Sequence, residues 1–172
     1  MSDVETELDC DVWICDFADA EDRSAFVRLM AEFAAEPVSA SPQLGIAHFA
    51  AVADDLANRA GTLVLLAARG ESRDTEGVLI AFEGYSSFAR AQLFNIHDVH
   101  VSPAGRGFGL GTAMVESLAE LGREHGFAKI TLEVAASNSG AIRLYRKLGF
   151  AGLDGTSAEV PAGVTYFATK KL

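Results

Sequence analysis

The chain is poor in cysteine and in positive charge, and both shortages exclude classes of protein. Its 172 residues include two cysteines, Cys10 and Cys15, and no second pair. A disulfide framework or a structural zinc site is therefore not expected, and we predict a reduced, cytoplasmic protein. Lysine and arginine number 14 against 24 acidic residues, which gives a net charge of −10. This balance argues against nucleic acid as a partner, because nucleic-acid binding depends on cations that neutralise phosphates. It is compatible with a cationic substrate, and equally with an ordinary solvated surface.

Long apolar runs are also missing. No run approaches the roughly 20 residues that span a bilayer, so no membrane partner is expected. The opening residues, MSDVETELDCD, lack the basic and apolar regions of a signal peptide. Hydrophobic residues make up 49% of the chain, which is typical of a globular protein. We predict an acidic, disordered tail over residues 1–10 and a single domain over residues 11–172.

Local patterns divide the chain into alternating strands and helices. Runs rich in β-branched and aromatic residues predict strands, and apolar stripes at helical spacing predict helices. The predicted strands are 11–17, 62–69, 78–87, 91–101, 128–135 and 164–172. The predicted helices are 19–36, 46–61 (closed by Gly61), 111–125 and 139–148, with loops at 37–45 and 70–77. The resulting order is βααβββαβαβ.

One stretch, SPAGRGFGLG at residues 102–111, has glycine at every second position from Gly105 to Gly111 and runs directly into a predicted helix. Glycine lets a backbone approach a ligand closely and adopt positive φ. A helix N-terminus offers unpaired N–H groups and a partial positive charge, so the stretch predicts an anion site, usually for phosphate. The spacing fits neither the P-loop, whose lysine is missing, nor the dinucleotide fingerprint, where Thr112 replaces the third small residue. A tight turn without a ligand is the alternative.

Residues 106–111, Arg-Gly-Phe-Gly-Leu-Gly, resemble the [QR]-x-x-G-x-[GA] loop of the GNAT family of N-acetyltransferases. Residues 138–150, NSGAIRLYRKLGF, are similar to the second hallmark of that family, N-x-x-A-x-x-x-Y-x-x-x-G-F. The element order also matches, so the resemblance covers residues 11–172. It implies the α/β (α+β) GNAT fold. In that fold a mixed, mostly antiparallel central sheet of six to seven strands is splayed between strands four and five and accompanied by about four helices.

The resemblance also implies acetyl-CoA as cosubstrate and no metal. Backbone N–H groups of the loop would hold the pyrophosphate, and the main chain of strand four would hold the acetyl carbonyl. The cofactor-binding residues implied are Val99, His100, Val101, Arg106, Gly107, Phe108, Gly109, Leu110, Gly111, Asn138 and Tyr145. Three of these have other interpretations: Arg106 could face solvent, Asn138 is a natural helix N-cap, and Tyr145 has the spacing of a core aromatic.

For catalysis, the resemblance implies that the Tyr145 hydroxyl points at the cofactor sulfur and acts as the acid. The base is sought in NIHDVHV, residues 95–101. Regular alternation in a strand would place His97, Val99 and Val101 on one face, and Asp98 and His100 on the other. The two histidines could then not chelate one metal. His97 and Asp98 are the candidate bases. Polyamine-type acetyltransferases have Leu-Glu-Asp where this chain has Ile-His-Asp, and a structural polar role is the alternative for each residue.

The acceptor is the least defined part of the prediction. Glu36, Glu83 and Tyr85 are candidate substrate-binding residues, and Glu83 is also a third candidate base. We expect the primary amine of a small molecule, such as a polyamine, an amino acid or an amine drug. A protein or peptide N-terminus, a lysine side chain, or a module that binds acetyl-CoA without catalysis are the alternatives. A homodimer is expected.

Overall fold

The computed structural model describes residues 9–37, 44–70, 74–153 and 163–172. The strands are β1 (Cys10–Ile14), β2 (Thr62–Arg69), β3 (Gly77–Ser86), β4 (Ala91–Val101), β5 (Lys129–Ala135) and β6 (Thr165–Lys171). The α-helices are α1 (Ala20–Ala34), α2 (Ile46–Ala57), α3 (Leu110–Glu124) and α4 (Ser139–Lys147). The predicted element order is confirmed. Residues 1–8 of the predicted tail, and 38–43 and 71–73 of the predicted loops, lie outside the described residues.

The six strands form one sheet in the order β1-β2-β3-β4-β5-β6. Neighbouring strands are antiparallel except β4 and β5, which are parallel. The parallel pairing covers only Leu93–Ile96 against Lys129–Leu132. Beyond it, β4 continues to Val101 with β3 as its partner, and β5 continues to Ala135 with β6 as its partner. The predicted mixed sheet with a splay between strands four and five is therefore confirmed.

Helices cover both faces of the sheet. Alternate residues of β2 belong to different apolar cores, because successive side chains of a strand point to opposite faces. Leu65 and Ala67 pack in the core beneath α3 and α4, and Val64 and Leu66 pack in the core beneath α1 and α2. Burial on both faces explains why β2 is an unbroken apolar run instead of an alternating one. Within the described ranges, no helix has both the length and the apolar composition needed to cross a membrane.

Strand β1 ends at Ile14, three residues before the predicted end, because the chain turns there towards α1. The buried Asp22 carboxylate accepts hydrogen bonds from Trp13 Nε1 at 3.0 Å and from the Asp16 N–H at 2.9 Å. Asp19 then caps α1 by accepting from two N–H groups of the first turn. The Asp22 and Asp19 carboxylates therefore fix the turn into α1, where the composition of residues 11–17 predicted that the strand would continue.

Helix α2 ends at Ala57, and the prediction that it continues to Gly61 is wrong. Asn58 is the C-cap, and its side-chain amide donates to the Asp54 carbonyl at 2.8 Å. Gly61 instead has a φ of 72° in the turn before β2. Asparagine and glycine are both suited to ending a helix, and here Asn58 ends it before the chain reaches Gly61.

Candidate active site

The glycine loop, residues 102–111, leads from the end of β4 into the start of α3 and therefore lies at the mouth of the splay. After a short 3-10 helix over Pro103–Gly105, Gly107 and Gly109 have φ values of 84° and 87°. L side chains rarely adopt this conformation, so both positions favour glycine. The Ala113 N–H donates to the Gly109 carbonyl at 2.9 Å and closes the first turn of α3. The N–H groups of residues 110–112 precede that bond and form the electropositive start of the helix.

The glycines of the loop serve different purposes. A Cβ added to Gly105 would lie 2.9 Å from Leu110 Cδ1, and one added to Gly111 would lie 3.2 Å from Leu144 Cδ2. These two glycines allow close packing, as a turn without a ligand would also require. A Cβ added to Gly107 meets nothing within 4 Å. The backbone at Gly107 therefore borders open space, which suits an anion that lies against the loop.

The Arg106 side chain is directed to the end of α1. Its Nε donates to the Val101 carbonyl at 3.0 Å, and its Nη2 forms an ion pair with Glu36. Arg106 thus links the last residue of β4 to the acidic residue that follows α1. The predicted contribution of Arg106 to phosphate binding stays a prediction, since its guanidinium has a carboxylate partner here.

On the other side of the loop, Phe108 contacts residues of β1 and β2. The guanidinium carbon of Arg69 lies 4.3 Å from the centre of the Phe108 ring, within the range of a cation–π contact. Arg69 is held in turn by two hydrogen bonds of 2.7 Å to the Glu76 carboxylate. The Cys10 thiol donates to the Phe108 carbonyl at 3.3 Å. These contacts give the loop a defined position before any ligand binds.

His100 is buried beneath α1, with a side chain only 2% exposed. Its Nε2 lies 3.6 Å from Glu32 Oε1 and its Nδ1 lies 3.6 Å from Glu36 Oε1. The ring stacks on Phe33 with 5.3 Å between centroids. The pKa of His100 is lowered, and burial is the largest cause. The Glu36 and Glu32 carboxylates raise this pKa, whereas the positive charge of Arg106 lowers it. Glu32 escaped the sequence analysis, although its spacing of four residues from Glu36 would place both acids on one face of the predicted helix at residues 19–36.

A β-bulge interrupts β4 at the candidate base. The register pairs Ile80 with Asp98 but Ala81 with Ile96, so His97 is an extra residue without a partner on β3. Such a bulge shifts the alternation of side chains by one residue and bends the strand. It falls directly after Ile96, where the pairing of β4 with β5 also ends.

The bulge places His97 on the α1 and α2 side of the sheet. Its ring contacts Phe82 at 5.5 Å, nearly at right angles, and its Nδ1 lies 3.1 Å from Asp98 Oδ2. Val99 and Val101 pack instead in the core on the α3 side. The expectation that His97 shares a face with these two valines is therefore wrong. His97 and Asp98 form a pair with 63% of the imidazole side chain exposed.

Tyr145 lies on α4 and is 6% exposed, with its ring 5.4 Å from that of Phe150. Burial raises the pKa of Tyr145 to about 12, so its hydroxyl stays protonated near neutral pH. The geometry is that of a core aromatic and also of a protonated acid. Asn138 accepts from the Ala141 N–H at 3.1 Å, which confirms its predicted capping of α4.

Glu83 and Tyr85 are not brought to the splay. Both lie towards the end of β3, where the antiparallel register pairs them with Phe94 and Gln92 near the start of β4. Glu83 lines a cavity with His125, beyond the C-terminal end of α3. The glycine loop is at the opposite end of this 15-residue helix, about 22 Å away at 1.5 Å per residue. The structure therefore gives no support to a base or acceptor role for Glu83, or to an acceptor role for Tyr85.

Asn95 and Thr131 form a polar link at the base of the splay that the sequence analysis missed. Asn95 Nδ2 donates to Thr131 Oγ1 at 3.0 Å, one residue pair before the parallel pairing ends. Thr131 is 4% exposed. The signal in the sequence was a polar Asn95 between Phe94 and Ile96 in an apolar strand.

Two features define the class of this molecule: a sheet that opens between two parallel strands, and a glycine-rich helix N-terminus at the mouth of the opening. It is an α/β domain with a glycine-rich helix N-terminus at the cleft of its sheet. The sequence profile of the Acetyltransferase (GNAT) family matches residues 23–150. The chain therefore belongs to the GNAT acetyltransferase family. In the part of the chain that the structure describes, no three His, Cys, Asp or Glu side chains are grouped so as to hold a metal ion.

Curated relatives act on different acceptors. The chain is 36% identical to the streptothricin acetyltransferase of Streptomyces lavendulae over 107 residues, which are 54% of this chain and 57% of that protein. It is 47% identical to the ribosomal protein bS18-alanine N-acetyltransferase of Escherichia coli over 60 residues, 35% of this chain and 38% of that protein. In both cases the alignment spans less than two thirds of the relative.

Solved structures share the fold along nearly the whole chain. The Salmonella typhimurium protein yncA, solved with acetyl-CoA, superposes with a TM-score of 0.68 and 19% identity over 95% of this chain and 94% of that one. A chain of the NatC complex bound to Gag peptide and CoA superposes with a TM-score of 0.69 and 16% identity, over 95% and 99% of the two chains. At these identities the comparison establishes the fold.

Proposed function

We propose that the protein transfers an acetyl group from acetyl-CoA to the primary amine of a small molecule. The observation that carries the proposal is the glycine-rich start of α3 at the mouth of the splay between β4 and β5. Family membership supports the reaction, and the similarity to a streptothricin acetyltransferase supports a small-molecule acceptor. The net charge of −10 favours the approach of a cationic amine.

The loop fits the pyrophosphate of acetyl-CoA. Positive φ at Gly107 and Gly109 turns the backbone at the edge of open space, and the first N–H groups of α3 carry partial positive charge. Acetyl-CoA supplies an activated thioester. The chain binds and orients it: the loop holds the phosphates, and the opening beside residues 97–101 receives the arm and the acetyl group.

Main-chain groups of β4 stabilise charge in this proposal. Beyond Ile96, β4 pairs with no strand on the β5 side among the described residues, so donors on that edge are available to a ligand. An N–H of the Val99–Val101 segment donates to the acetyl carbonyl oxygen, where negative charge develops as the amine attacks. A donor that is already in place stabilises such charge without reorganisation.

Tyr145 and the His97–Asp98 pair handle the protons. The amine nitrogen bonds to the carbonyl carbon, the carbon–sulfur bond breaks, and the thiolate takes the Tyr145 proton. Because His97 Nδ1 lies next to the Asp98 carboxylate, Nδ1 donates there and Nε2 can accept the proton of the amine. The exposure of His97 suits a base that acts directly or through water.

A protein N-terminus is the second candidate acceptor. The 47% identity to a ribosomal-protein alanine N-acetyltransferase favours it, although the match covers 60 residues. Cytoplasmic location and a homodimer belong to the proposal as predictions.

An acetylation assay separates these alternatives. The purified protein is incubated with acetyl-CoA and one acceptor at a time: streptothricin, spermidine, free amino acids, and a peptide that begins with alanine. Release of free CoA thiol is measured, with a reaction lacking acceptor as the control. The proposal expects release with a small amine. Release with the peptide alone would make the protein an N-terminal acetyltransferase, and binding of acetyl-CoA without release for any acceptor would indicate a non-catalytic module.

A further inference from the structure

A second concave site lies at the other end of α3 from the glycine loop. It is a cavity of about 300 Å³ whose lining combines apolar side chains with a few polar ones. The apolar lining includes Leu63, Phe94, Leu121 and Phe127, and the polar rim includes Glu83 and His125. The cavity is thus formed by β2, β3, β4, the last turn of α3 and the residues that follow it.

The polar rim offers hydrogen-bond acceptors and a negative charge, beside the Thr62 hydroxyl and the Gln92 amide. No lysine or arginine is among the described residues that line the cavity, and Glu83 supplies a carboxylate. His125 Nδ1 lies 2.8 Å from the Leu121 carbonyl oxygen. Because a carbonyl can only accept, Nδ1 carries the hydrogen, and the neutral ring keeps Nε2 as an acceptor. A ligand that donates N–H groups and carries positive charge complements both residues.

The rest of the lining suits an apolar body attached to that charge. The Phe94 and Phe127 rings lie 4.4 Å apart between centroids. A neighbouring cavity of about 250 Å³ shares Leu121 and the half-exposed Ile14, and it is rimmed by Glu120 and Glu124. The apolar surface therefore continues past Leu121, with acidic residues along it. An apolar cavity with a carboxylate at its rim suits an organic ammonium ion that carries an apolar body.

We propose that this cavity binds an organic ammonium ion with an apolar body, such as a protonated arylalkylamine, with the ammonium group at Glu83. The site lies at the opposite end of α3 from the glycine loop, and an amine bound there is not a substrate of the proposed transfer. The inference gives Glu83 a ligand-binding role away from the site where the sequence analysis had placed it.

A titration of 2-phenylethylammonium into the CoA-saturated protein tests the inference. Binding is followed by calorimetry and by NMR shifts of the His125 and Phe127 amides, with the Gly107 amide as a reporter for the loop. We expect saturable binding in the millimolar range with shifts at His125 and Phe127. Glu83→Gln should weaken it three- to fivefold, the scale of a partly exposed ion pair. 2-Phenylethanol, which has the same ring without the charge, should bind more weakly.

Glu116→Gln provides the matched control, because Glu116 is exposed on α3 and does not line the cavity. It removes the same charge and should leave the affinity unchanged. If both substitutions weaken binding equally, the effect comes from the net charge of the protein and not from the cavity, and the proposal is overturned. Unchanged affinity in Glu83→Gln, or shifts confined to Gly107, would overturn it as well. None of these outcomes depends on whether acetyl transfer occurs.

Discussion

At the scale of single residues, His100 shows how burial and charge oppose each other. Burial lowers the pKa of this histidine from its ordinary 6.5, so the folded protein holds the proton less readily than the unfolded chain does. Below about pH 6.5 the unfolded state therefore takes up a proton first, and the free energy of unfolding decreases as the pH falls. Above that value both states are neutral at His100, and its contribution no longer changes with pH.

The substitution His100→Asn removes this titration. At pH 7 it should destabilise the protein by about 1–3 kcal/mol, since it removes a buried ring packed on Phe33. The difference in stability between the wild type and the variant should shrink as the pH falls below about 6.5, because only the wild type pays for protonating His100. Thermal unfolding between pH 5 and 8 measures it. A difference that widens towards low pH would mean that the two glutamates outweigh burial.

A second prediction at the scale of single residues concerns the proposed role of the Tyr145 hydroxyl as the acid. Tyr145→Phe keeps the ring against Phe150 and removes only the acid, so the fold should survive. We expect kcat to fall by about 10², with the affinity for acetyl-CoA little changed. Tyr85→Phe is the control, because Tyr85 is 64% exposed and lies away from the splay. Normal turnover of Tyr145→Phe would make Tyr145 a core residue only.

At the scale of elements, the contact between Glu36 and Arg106 connects the end of α1 with the glycine loop, which is the proposed cofactor site. The Arg106 guanidinium is held in an ion pair with Glu36, and in the proposed function the phosphates lie against the same loop. Glu36→Gln should therefore increase the affinity for acetyl-CoA two- to fivefold, because the loop gains an uncommitted positive charge. The modest size follows from the exposure of the pair, 51% for Arg106 and 21% for Glu36.

Calorimetry on Glu36→Gln, Arg106→Gln and the double variant measures the effect. The double variant should show no gain, because the gain depends on the guanidinium. If Glu36→Gln instead weakens binding, the ion pair serves to hold the loop in place, and its sign in our account is wrong.

Elements whose form depends on local chemistry could be predicted from the sequence. The start of α3 is determined by glycines with positive φ and by the helix that follows, all within a few residues. The N-cap of α4 needs only Asn138 and the N–H of Ala141. In both cases the residues that decide the structure are neighbours in the chain, so a pattern predicts them.

Features that depend on pairing between strands could not be predicted. The bulge at His97 arises from the register of β4 against β3, and nothing within NIHDVHV breaks the alternation by itself. The position of Glu83 depends on the same register, because alternation assigns a face of a strand but not the end of the sheet at which a side chain lies. The bulge overturns the predicted face of His97, and the position of Glu83 leaves its predicted roles without structural support.

At the scale of the whole molecule, the splay lets groups from both faces of the sheet meet. Val101 and Tyr145 belong to the core on the α3 side, whereas His97 and His100 contact residues on the α1 and α2 side. A closed sheet would separate them. In the proposed function, the opening between β4 and β5 allows an acyl donor held by the loop to meet an amine that approaches from the side of α1. This passage is the basis of the proposed transfer.

The affinity for acetyl-CoA of two aspartate variants tests this account most directly. Gly107 and Gly126 both have positive φ, 84° and 70°, and a Cβ added to either meets nothing within 4 Å. Gly107→Asp and Gly126→Asp therefore impose similar backbone strain and add the same charge. They differ in place, since Gly107 lies in the loop before α3 and Gly126 follows the other end of the helix.

We expect Gly107→Asp to weaken acetyl-CoA binding at least tenfold, or about 1.4 kcal/mol, because a carboxylate enters the position of the pyrophosphate. Gly126→Asp should bind as the wild type does, and circular dichroism should show both variants folded. Calorimetric titration gives the two affinities. If folded Gly107→Asp binds acetyl-CoA as tightly as Gly126→Asp, the cofactor does not lie against the glycine loop, and the central claim is contradicted.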